Sequence, residues 1–207
     1  MKIIDFPQGT AEWLAARAGK VTASRMDDVL AKIKTGEAAN RRDYRAQIVA
    51  EILTGKPQEA SFINAEMQWG IDNEILARGA YMSKKDIDVD PVGLVLHPTI
   101  ERAAASPDGL AGAGLVEIKC PKTATHLTYL LDAKVPEKYK AQMFWQMACT
   151  GAPWCDFVSY DPRLPEKHQL FVARLPRDDV RIAEMEQEVR KFLIEVDSVL
   201  EALASRA

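Results

Sequence analysis

A turn-rich string, SPDGLAGAG at residues 106–114, lies near the middle of the chain and runs directly into an apolar strand pattern, Leu115 to Cys120. A turn that leads at once into a strand is typical of a β-hairpin. Further strand patterns occur at Arg102 to Ala105, Trp154 to Tyr160 and Gln169 to Leu175. Helical patterns lie on both sides of these strands, so we expect a mixed α/β fold, a central mixed β-sheet flanked by helices.

The first third of the chain is predicted to be helical. Thr10, Thr22 and Asn40 each stand where a side-chain oxygen can accept a free backbone N–H and cap the start of a helix. The helix that begins at Asn40 should end at Gly55, because glycine commonly follows the last helical turn. A longer helix is expected from about Asn64 to Met82.

Three more helices are predicted after the hairpin. One runs from about Thr123 to Ala133. Pro136 opens the next, which Gly151 ends, since proline suits a first helical turn and glycine a helix end. The last, from about Asp178 to Leu203, carries apolar residues at helical spacing, and this stripe should pack on the core.

The composition is that of one globular domain. The chain has 207 residues, of which 47% are hydrophobic and 28% are charged. These values exclude a disordered or disulfide-dense class. We expect a single domain over 1–207, with a helical region at 1–63, a core at 64–175 and a C-terminal helix at 176–207.

Cysteine usage and the lack of long apolar runs bear on the compartment. The chain has three cysteines, an odd and sparse number that favours free thiols in a reducing environment. No apolar run reaches membrane length, and the first residues, MKIIDFPQGT, have no apolar signal core. The sequence therefore predicts a cytoplasmic protein without a membrane span.

Charge is distributed unevenly along the chain. The formal net charge is −3, which by itself argues against a nucleic-acid binder. From Arg17 to Arg45, however, Lys and Arg outnumber Asp and Glu by eight to four, whereas from Arg177 onward the acids lead by eight to five. The basic stretch is consistent with local binding of DNA, and equally with solvated helix faces.

The clearest chemical feature is Asp108 followed by the triplet Glu117-Ile118-Lys119. Alternate residues of a strand face the same side, so Glu117 and Lys119 share a face and Ile118 points into the core. The hairpin can bring Asp108 beside Glu117. Two adjacent carboxylates suit a hard divalent cation, and Lys119 can orient or deprotonate a water or stabilise charge on a phosphoryl oxygen. This pattern indicates metal-assisted phosphodiester hydrolysis.

A surface ion pair on an edge strand is the alternative interpretation of Glu117 and Lys119. The chain holds a second acid-x-Lys triplet, Asp132-Ala133-Lys134, which lacks a turn-borne aspartate shortly before it. We interpret that second triplet as unrelated to catalysis. The three histidines show no paired ligand spacing and are expected in loops or at the surface: His97, His126 and His168.

Six segments carry a family resemblance by their order and spacing. They are AEWLAARAGKVTAS (11–24), WGIDNE (69–74), SPDGL (106–110), LVEIKCP (115–121), YKAQMFWQM (139–147) and SYDPR (159–163). Together they resemble the phage lambda-type exonucleases, also called YqaJ-like viral recombinases, within the PD-(D/E)XK nuclease superfamily. The resemblance spans nearly the whole chain. It implies a restriction-endonuclease-like core preceded by a helical region that binds DNA ends.

The resemblance also implies an activity. Such enzymes digest one strand of duplex DNA from its 5′ end with Mg²⁺, two ions per site, and Mn²⁺ is expected to substitute. They form homotrimeric rings and supply 3′ overhangs to a single-strand annealing protein, in a phage or prophage setting. Two other functions stay open: a related PD-(D/E)XK endonuclease, and a catalytically silent DNA-binding or assembly protein.

The resemblance implies which residues of this sequence form the active site. The implied catalytic set is Asp108, Glu117, Lys119, Gln142 and Glu74, with Asp108, Glu117 and the Ile118 backbone carbonyl as metal ligands. Glu74 lies on the predicted long helix and Gln142 on the helix opened by Pro136. Without the resemblance, Gln142 would be interpreted as an exposed helix glutamine.

The resemblance places a terminal 5′-phosphate at Arg17 and Ser24. Thr22 and Ser24 in the first turn of a helix would offer N–H and O–H donors to an anion, and Arg17 would add a guanidinium fork. The alternative is that Thr22 only caps the helix and Arg17 is a surface charge. The basic residues that follow are candidate contacts to the duplex backbone: Lys32, Lys34, Arg41, Arg42 and Arg45.

Overall fold

The computed structural model describes residues 1–58 and 64–206. Within these ranges the chain forms seven α-helices and nine β-strands. The helices are α1 (Ala11–Arg17), α2 (Met26–Leu30), α3 (Ala39–Thr54), α4 (Ala65–Lys85), α5 (Thr123–Asp132), α6 (Glu137–Thr150) and α7 (Asp179–Ala204). The strands are β1 (Lys2–Ile4), β2 (Val21–Thr22), β3 (Val89–Asp90), β4 (Leu94–Leu96), β5 (Ala103–Ala105), β6 (Gly109–Ala111), β7 (Gly114–Lys119), β8 (Trp154–Tyr160) and β9 (Leu170–Pro176).

The strands form two sheets. One has the order β1-β4-β5-β2 and the other the order β3-β6-β7-β8-β9. Each contains one parallel pair, β2 with β5 and β7 with β8, beside antiparallel pairs. Helix α6 contacts strands of both sheets. The predicted mixed α/β architecture is confirmed, with its strands divided between two sheets rather than gathered in one.

The sequence predicts a hairpin of Arg102–Ala105 and Leu115–Cys120 joined by a turn at 106–114, and its first strand is wrong. In the structure β5 belongs to the other sheet, and β7 forms the hairpin with β6, a short strand inside the predicted turn. Ala111 pairs with Gly114 across the turn, and Gly112 in that turn has φ of 58°, a left-handed conformation that glycine adopts without strain. On its other edge β7 runs parallel to β8, with Glu117 opposite Phe157. Because β7 has a partner on both edges, the residues it carries are held in the middle of the sheet.

Two helices cover opposite faces of β7. Leu115 belongs to the hydrophobic cluster that includes Met143 of α6, and Val116 to the cluster that includes Tyr81 of α4. This alternation follows from strand geometry, in which successive side chains point to opposite faces. Glu117 therefore lies on the same face as Leu115 and points toward α6.

Helix α7 covers the core as its sequence pattern predicts. The Asp178 carboxylate caps it by accepting the Arg181 backbone N–H at 3.0 Å. The predicted apolar stripe is buried at Ile182, Met185, Val189, Phe192 and Val196. Leu203, in the last turn, is 44% exposed, so the stripe ends before the helix does.

Two predicted helix starts are wrong. Helix α3 begins at Ala39, so Asn40 lies inside its first turn rather than at its cap. Thr22 makes no capping hydrogen bond and is followed by a 3₁₀ turn, Ala23–Arg25, and then by only five residues of α2. The physical reason is that Thr22 belongs to β2, where pairing with β5 replaces capping.

Two of the three histidines are buried. His97 lies in the loop after β4, as predicted, whereas His126 lies inside α5, against the prediction. His97 stacks on the Trp145 ring with centroids 5.1 Å apart, and His126 hydrogen-bonds Ser159 through Nδ1 at 2.7 Å. Only His168 is exposed, as predicted. An isolated histidine gives no sequence pattern from which its burial can be predicted. The packing of distant segments decides whether it is buried.

The division into 1–63, 64–175 and 176–207 stays a prediction, and residues 59–63 lie outside the described residues. None of the helices among the described residues has both the length and the apolar character needed to cross a membrane.

Candidate active site

The hairpin brings Asp108 against β7. The Asp108 backbone N–H donates to the Val116 carbonyl at 3.2 Å, and the Ile118 N–H donates to Asp108 Oδ2 at 2.6 Å. The second bond fixes the Asp108 carboxylate against the backbone of β7 at Ile118, the residue after Glu117. The sequence prediction that Asp108 lies beside Glu117 therefore has a direct structural basis.

Glu117 is fully buried and surrounded by donors. Gln142 Nε2 donates to Glu117 Oε1 at 2.6 Å, and Gln146 Nε2 donates to Oε2 at 2.5 Å. The Lys119 ammonium forms an ion pair with Oε1. A buried carboxylate is costly unless its oxygens are hydrogen-bonded, and these three donors meet that requirement.

Charge crowding shifts the proton equilibria of the cluster. Burial, followed by the nearby Glu117 carboxylate, raises the pKa of Asp108 well above its ordinary value. Burial acts to lower the pKa of Lys119, but Glu117 and Asp108 outweigh it and raise that pKa overall. The ammonium form of Lys119, favoured beside two carboxylates, argues against its taking a proton from water. It is compatible with the other two predicted roles, to orient a water and to stabilise charge on a phosphoryl oxygen.

Helix α4 brings Glu74 to the same cluster through an arginine. Arg78 Nη2 donates to Glu74 Oε1 at 2.7 Å and to the Asp108 carbonyl at 3.0 Å. Glu74 is one of the charges that raise the pKa of Asp108. Arg78 thus connects the helix-borne acid to the turn that carries Asp108.

Sequence reasoning missed Arg78 and Gln146. Each lies four residues after a predicted site residue on the same helix, Glu74 and Gln142 respectively. Residues four apart share a helix face, so this spacing was the available signal.

The cluster offers oxygen ligands to a divalent cation. The described residues hold no group of three or more His, Cys, Asp and Glu side chains arranged around a metal position. The site instead offers the Asp108 and Glu117 carboxylates with the Ile118 carbonyl nearby. These are all-oxygen ligands, and Mg²⁺ commonly takes one or two carboxylates while keeping several waters. Burial and then the Glu117 carboxylate raise the pKa of Asp108, and a cation would relieve the repulsion between the two carboxylates, so the residues fit the ion.

Of the residues predicted around a 5′-phosphate, Arg17 and Thr22 lie close together and Ser24 lies apart. Arg17, at the end of α1, stacks over Trp13 with 4.0 Å from its guanidinium carbon to the ring centroid. A small cavity between α1 and α3 is lined by Arg17, Thr22 and the buried Glu51, whereas Ser24 is exposed in the turn after β2. The structure therefore brings Arg17 and Thr22 together and does not place Ser24 in the same cavity.

Two of the basic candidates are engaged within the fold. Arg41 Nη2 contacts Glu195 Oε1 at 2.7 Å, and Arg45 contacts both Glu195, at 3.2 Å, and Glu37. The two pairs with Glu195 join α3 to α7, so the basic N-terminal stretch partly neutralises the acidic C-terminal helix. That contact gives the uneven charge distribution a structural explanation.

The other three basic candidates are more exposed. Arg42 pairs with its neighbour Asp43, at 3.0 Å, and Lys32 lies 3.7 Å from Glu188 with its side chain 73% exposed. Lys34 is exposed. A role in DNA binding stays a prediction for all five.

A groove beside the cluster of Asp108, Glu117 and Lys119 combines cations with aromatic rings. Its lining includes Trp69, Lys122, Lys138, Tyr139 and Arg163. The Arg163 guanidinium lies 4.3 Å from the Trp69 ring centroid, and Lys138 lies 4.8 Å from that of Tyr139. Such pairs are typical cation–π contacts.

Tyr139 lies in both the groove and the cluster around Lys119, and the SYDPR segment supplies Arg163 to the groove. The Tyr139 ring also faces the Lys119 ammonium, at 5.5 Å. Asp161 binds Arg163 through both carboxylate oxygens, at 2.7 and 2.9 Å, which explains the acid and the arginine of SYDPR.

Residues 12–153 match the YqaJ-like viral recombinase domain. The chain belongs to this family. The family resemblance carried by the six sequence segments is thus confirmed. A comparison with curated proteins finds no match.

Solved structures agree with membership of the YqaJ-like family. The chain is 48% identical to an alkaline exonuclease from Laribacter hongkongensis, LHK-Exo, with a TM-score of 0.87 and coverage of 95% of this chain and 97% of that one. A structure of LHK-Exo in complex with dAMP matches with the same identity and coverage and a TM-score of 0.88. A phage related exonuclease from Haemophilus somnus 129PT is 13% identical, with a TM-score of 0.70 over 89% of this chain and 96% of that one, and shares the fold. Family and neighbours together support a nuclease role.

Proposed function

We propose that the protein is a Mg²⁺-dependent exonuclease that digests one strand of double-stranded DNA from its 5′ end and leaves 3′ overhangs. The observation that carries this proposal is the hairpin that fixes Asp108 beside Glu117, with the Lys119 ammonium paired to the second carboxylate. The likeness to LHK-Exo supports it.

The chain's own residues divide the chemistry between them. Asp108, Glu117 and the Ile118 carbonyl would hold Mg²⁺, with two ions per site and Mn²⁺ as a substitute. The bound metal would activate a water and offset negative charge on the phosphoryl group. Lys119 stabilises charge on a phosphoryl oxygen, because its ammonium form is favoured beside the two carboxylates. Gln142 holds the Glu117 carboxylate in place.

The substrate end is proposed to lie between α1 and the hairpin. Trp13 carries Arg17 on its ring and donates to Ser106 Oγ at 3.0 Å, two residues before Asp108. A 5′-phosphate held by Arg17 beside Thr22 would therefore lie close to the turn that carries Asp108, with Ser24 outside this cavity on the exposed turn after β2. A guanidinium fork suits phosphate oxygens.

The cationic groove is proposed to hold the strand that leads into the site. Lys122, Lys138 and Arg163 supply charge for the phosphate backbone, and Trp69 and Tyr139 supply faces on which bases can stack. A nucleoside monophosphate is the expected product, in keeping with the dAMP complex of LHK-Exo. Lys32, Lys34 and Arg42 are exposed enough to reach the duplex, whereas Arg41 and Arg45 support α3.

The wider biology is proposed from the family. A homotrimeric ring would keep the duplex enclosed without a strongly basic protein, since closed symmetry is common in homo-oligomers. The 3′ overhangs would pass to a single-strand annealing protein in the cytoplasm of a phage- or prophage-bearing cell.

The deciding experiment uses duplex DNA labelled at one 5′ end, with and without Mg²⁺. Release of labelled mononucleotide that requires Mg²⁺ is expected, and covalently closed circular DNA should stay intact because it has no end. Cleavage of the circle would support the endonuclease alternative, and no metal-dependent release from either substrate would support a silent DNA-binding protein.

A further inference from the structure

Gln146 lies one helical turn after Gln142 on α6 and is fully buried. Its Nε2 donates to Glu117 Oε2 at 2.5 Å, whereas Gln142 Nε2 donates to Oε1 at 2.6 Å. Each oxygen of the Glu117 carboxylate therefore has its own glutamine donor. The family's glutamine accounts for one of these contacts, and the other belongs to a residue with no role in the mechanism above.

The orientation of the Gln146 amide is dictated by its surroundings. An ionised carboxylate only accepts hydrogen bonds, so Nε2 must face Glu117 and Oε1 must point away from it. A buried Oε1 then needs a donor, and Cys155 Sγ lies 3.7 Å from it. Cys155 is fully buried on β8, and burial raises the pKa of its thiol well above the ordinary value, so the sulfur keeps its proton.

We propose that Gln146 is a positioning residue for the metal ligand Glu117, and that the Cys155 thiol sets the direction of the Gln146 amide. The inference rests on the proposed function, because it takes Glu117 to bind a divalent cation. A glutamine donor on each oxygen fixes the plane of the carboxylate. Because Gln142 and Lys119 both bind Oε1, the lone pair that remains for the ion is on Oε2, the oxygen that Gln146 binds. Residues that orient metal ligands typically contribute about 10–100-fold in metal affinity.

The first test is Gln146→Met, which keeps the length of the side chain and removes its donor. Binding of Mn²⁺ to the DNA-free protein is measured by calorimetry, and the Mn²⁺ concentration for half-maximal hydrolysis is measured beside kcat. We expect a Kd about 10–100-fold weaker, with kcat at saturating Mn²⁺ close to that of the unmodified protein. An unchanged Kd would overturn the proposal, even if the variant unfolds at a lower temperature.

The second test separates the thiol from the packing of the core. Cys149 is also buried, on the same helix as Gln146 and in the hydrophobic cluster that includes Cys155. Within the part of the chain that the structure describes, the Cys149 thiol does not donate to Gln146. Cys149→Ala therefore removes a buried sulfur as Cys155→Ala does, without removing the contact to Gln146. We expect Cys155→Ala to weaken Mn²⁺ binding, Cys155→Ser to restore it and Cys149→Ala to leave it unchanged. Equal effects of the two alanine variants would overturn the role of Cys155.

Asp108→Ala distinguishes failure of this inference from failure of the proposed function. If Asp108→Ala abolishes Mn²⁺ binding and Gln146→Met does not weaken it, only the role of Gln146 is wrong. If Asp108→Ala leaves Mn²⁺ binding intact, the proposed metal site is wrong and the inference falls with it. Should Gln146→Met fail to fold, the cysteine variants decide, because each changes only one buried side-chain atom.

Discussion

The indole Nε1 of Trp13 donates a hydrogen bond to Ser106 Oγ at 3.0 Å, across 93 positions of the chain. The same ring carries the Arg17 guanidinium, and Ser106 stands two residues before Asp108. One aromatic residue thus joins the proposed end-binding arginine to the turn that holds the proposed metal ligand. Recognition of the DNA end and hydrolysis of the first phosphodiester are therefore expected to depend on each other.

Arg17→Ala should erase most of the preference for 5′-phosphorylated over 5′-hydroxyl ends. A terminal phosphate has more negative charge and more free oxygens than an internal diester, and a guanidinium fork recognises both. Initial rates on paired duplexes that differ only in the end group test this. Arg42→Ala, which removes an exposed arginine elsewhere, is the control and should keep the preference. Equal rates of the unmodified protein on both ends would sink the assignment.

Trp13→Phe should reduce the same preference without abolishing it. Phenylalanine keeps a ring for Arg17 to stack on but loses the N–H that binds Ser106. The rate on 5′-hydroxyl ends, measured in the same experiment, should change less than the rate on 5′-phosphate ends. If both rates fall equally, Trp13 supports the fold and not end recognition.

Asp108→Ala should abolish Mg²⁺-dependent hydrolysis while the protein stays folded. The substitution removes one carboxylate of the proposed metal site, and Asp108 lies at a half-buried turn where truncation opens no large cavity. Nucleotide release is measured beside circular dichroism. Near-normal turnover with unchanged metal dependence would show that the metal is held elsewhere.

Lys119→Ala should lower turnover by about 10²–10³-fold and leave DNA binding intact, since it removes one charge aimed at the transition state. Single-turnover rates and binding to a duplex in Ca²⁺ separate the two properties. Lys134→Ala is the matched control, because Lys134 ends the other acid-x-Lys triplet and is exposed. Loss of binding with intact chemistry would instead make Lys119 a substrate contact.

His97 should make the protein less stable in mild acid. Burial lowers the pKa of His97 below its ordinary value of 6.5, and this outweighs the opposing effect of Glu186. The unfolded chain then binds the proton more readily than the folded one, so the stabilisation is present above pH 6.5 and is lost as the pH falls through the folded pKa.

Denaturant unfolding at a series of pH values measures this effect in His97→Asn. Asparagine can still accept the Thr99 and Ile100 backbone N–H groups that bond to Nδ1. The variant should lose less stability than the unmodified protein as the pH falls below 6.5. His168→Asn, at an exposed position, should leave the dependence unchanged; identical curves for all three proteins would contradict the prediction.

Arg41→Gln should lower the free energy of unfolding by about 0.5–1 kcal/mol, since it breaks the partly exposed pair with Glu195 that joins α3 to α7. The loss should shrink at high salt. Arg42→Gln should leave stability unchanged and weaken DNA binding instead. The reverse pattern would move Arg41 into the DNA interface.

Local sequence patterns were sufficient to predict much of the secondary structure of this protein. The turn that leads into β7, the start of α7 near Asp178 and the ends of α3 and α6 at glycine depend on interactions between residues close in the chain. Glu117 and Lys119 lie on the same face of the sheet because side chains alternate along a strand. These features were predicted from the sequence because their physical causes act over a few residues.

Contacts between distant segments required the tertiary structure. Pairing with β5 made Thr22 part of a strand, and the approach of α7 drew Arg41 into an ion pair. Gln146 and Cys155 meet only because α6 packs on β8 and β7 at once. The sequence shows which side chains can donate or accept, but a buried group takes whichever partner the packing places within reach, and that choice is made by the fold as a whole.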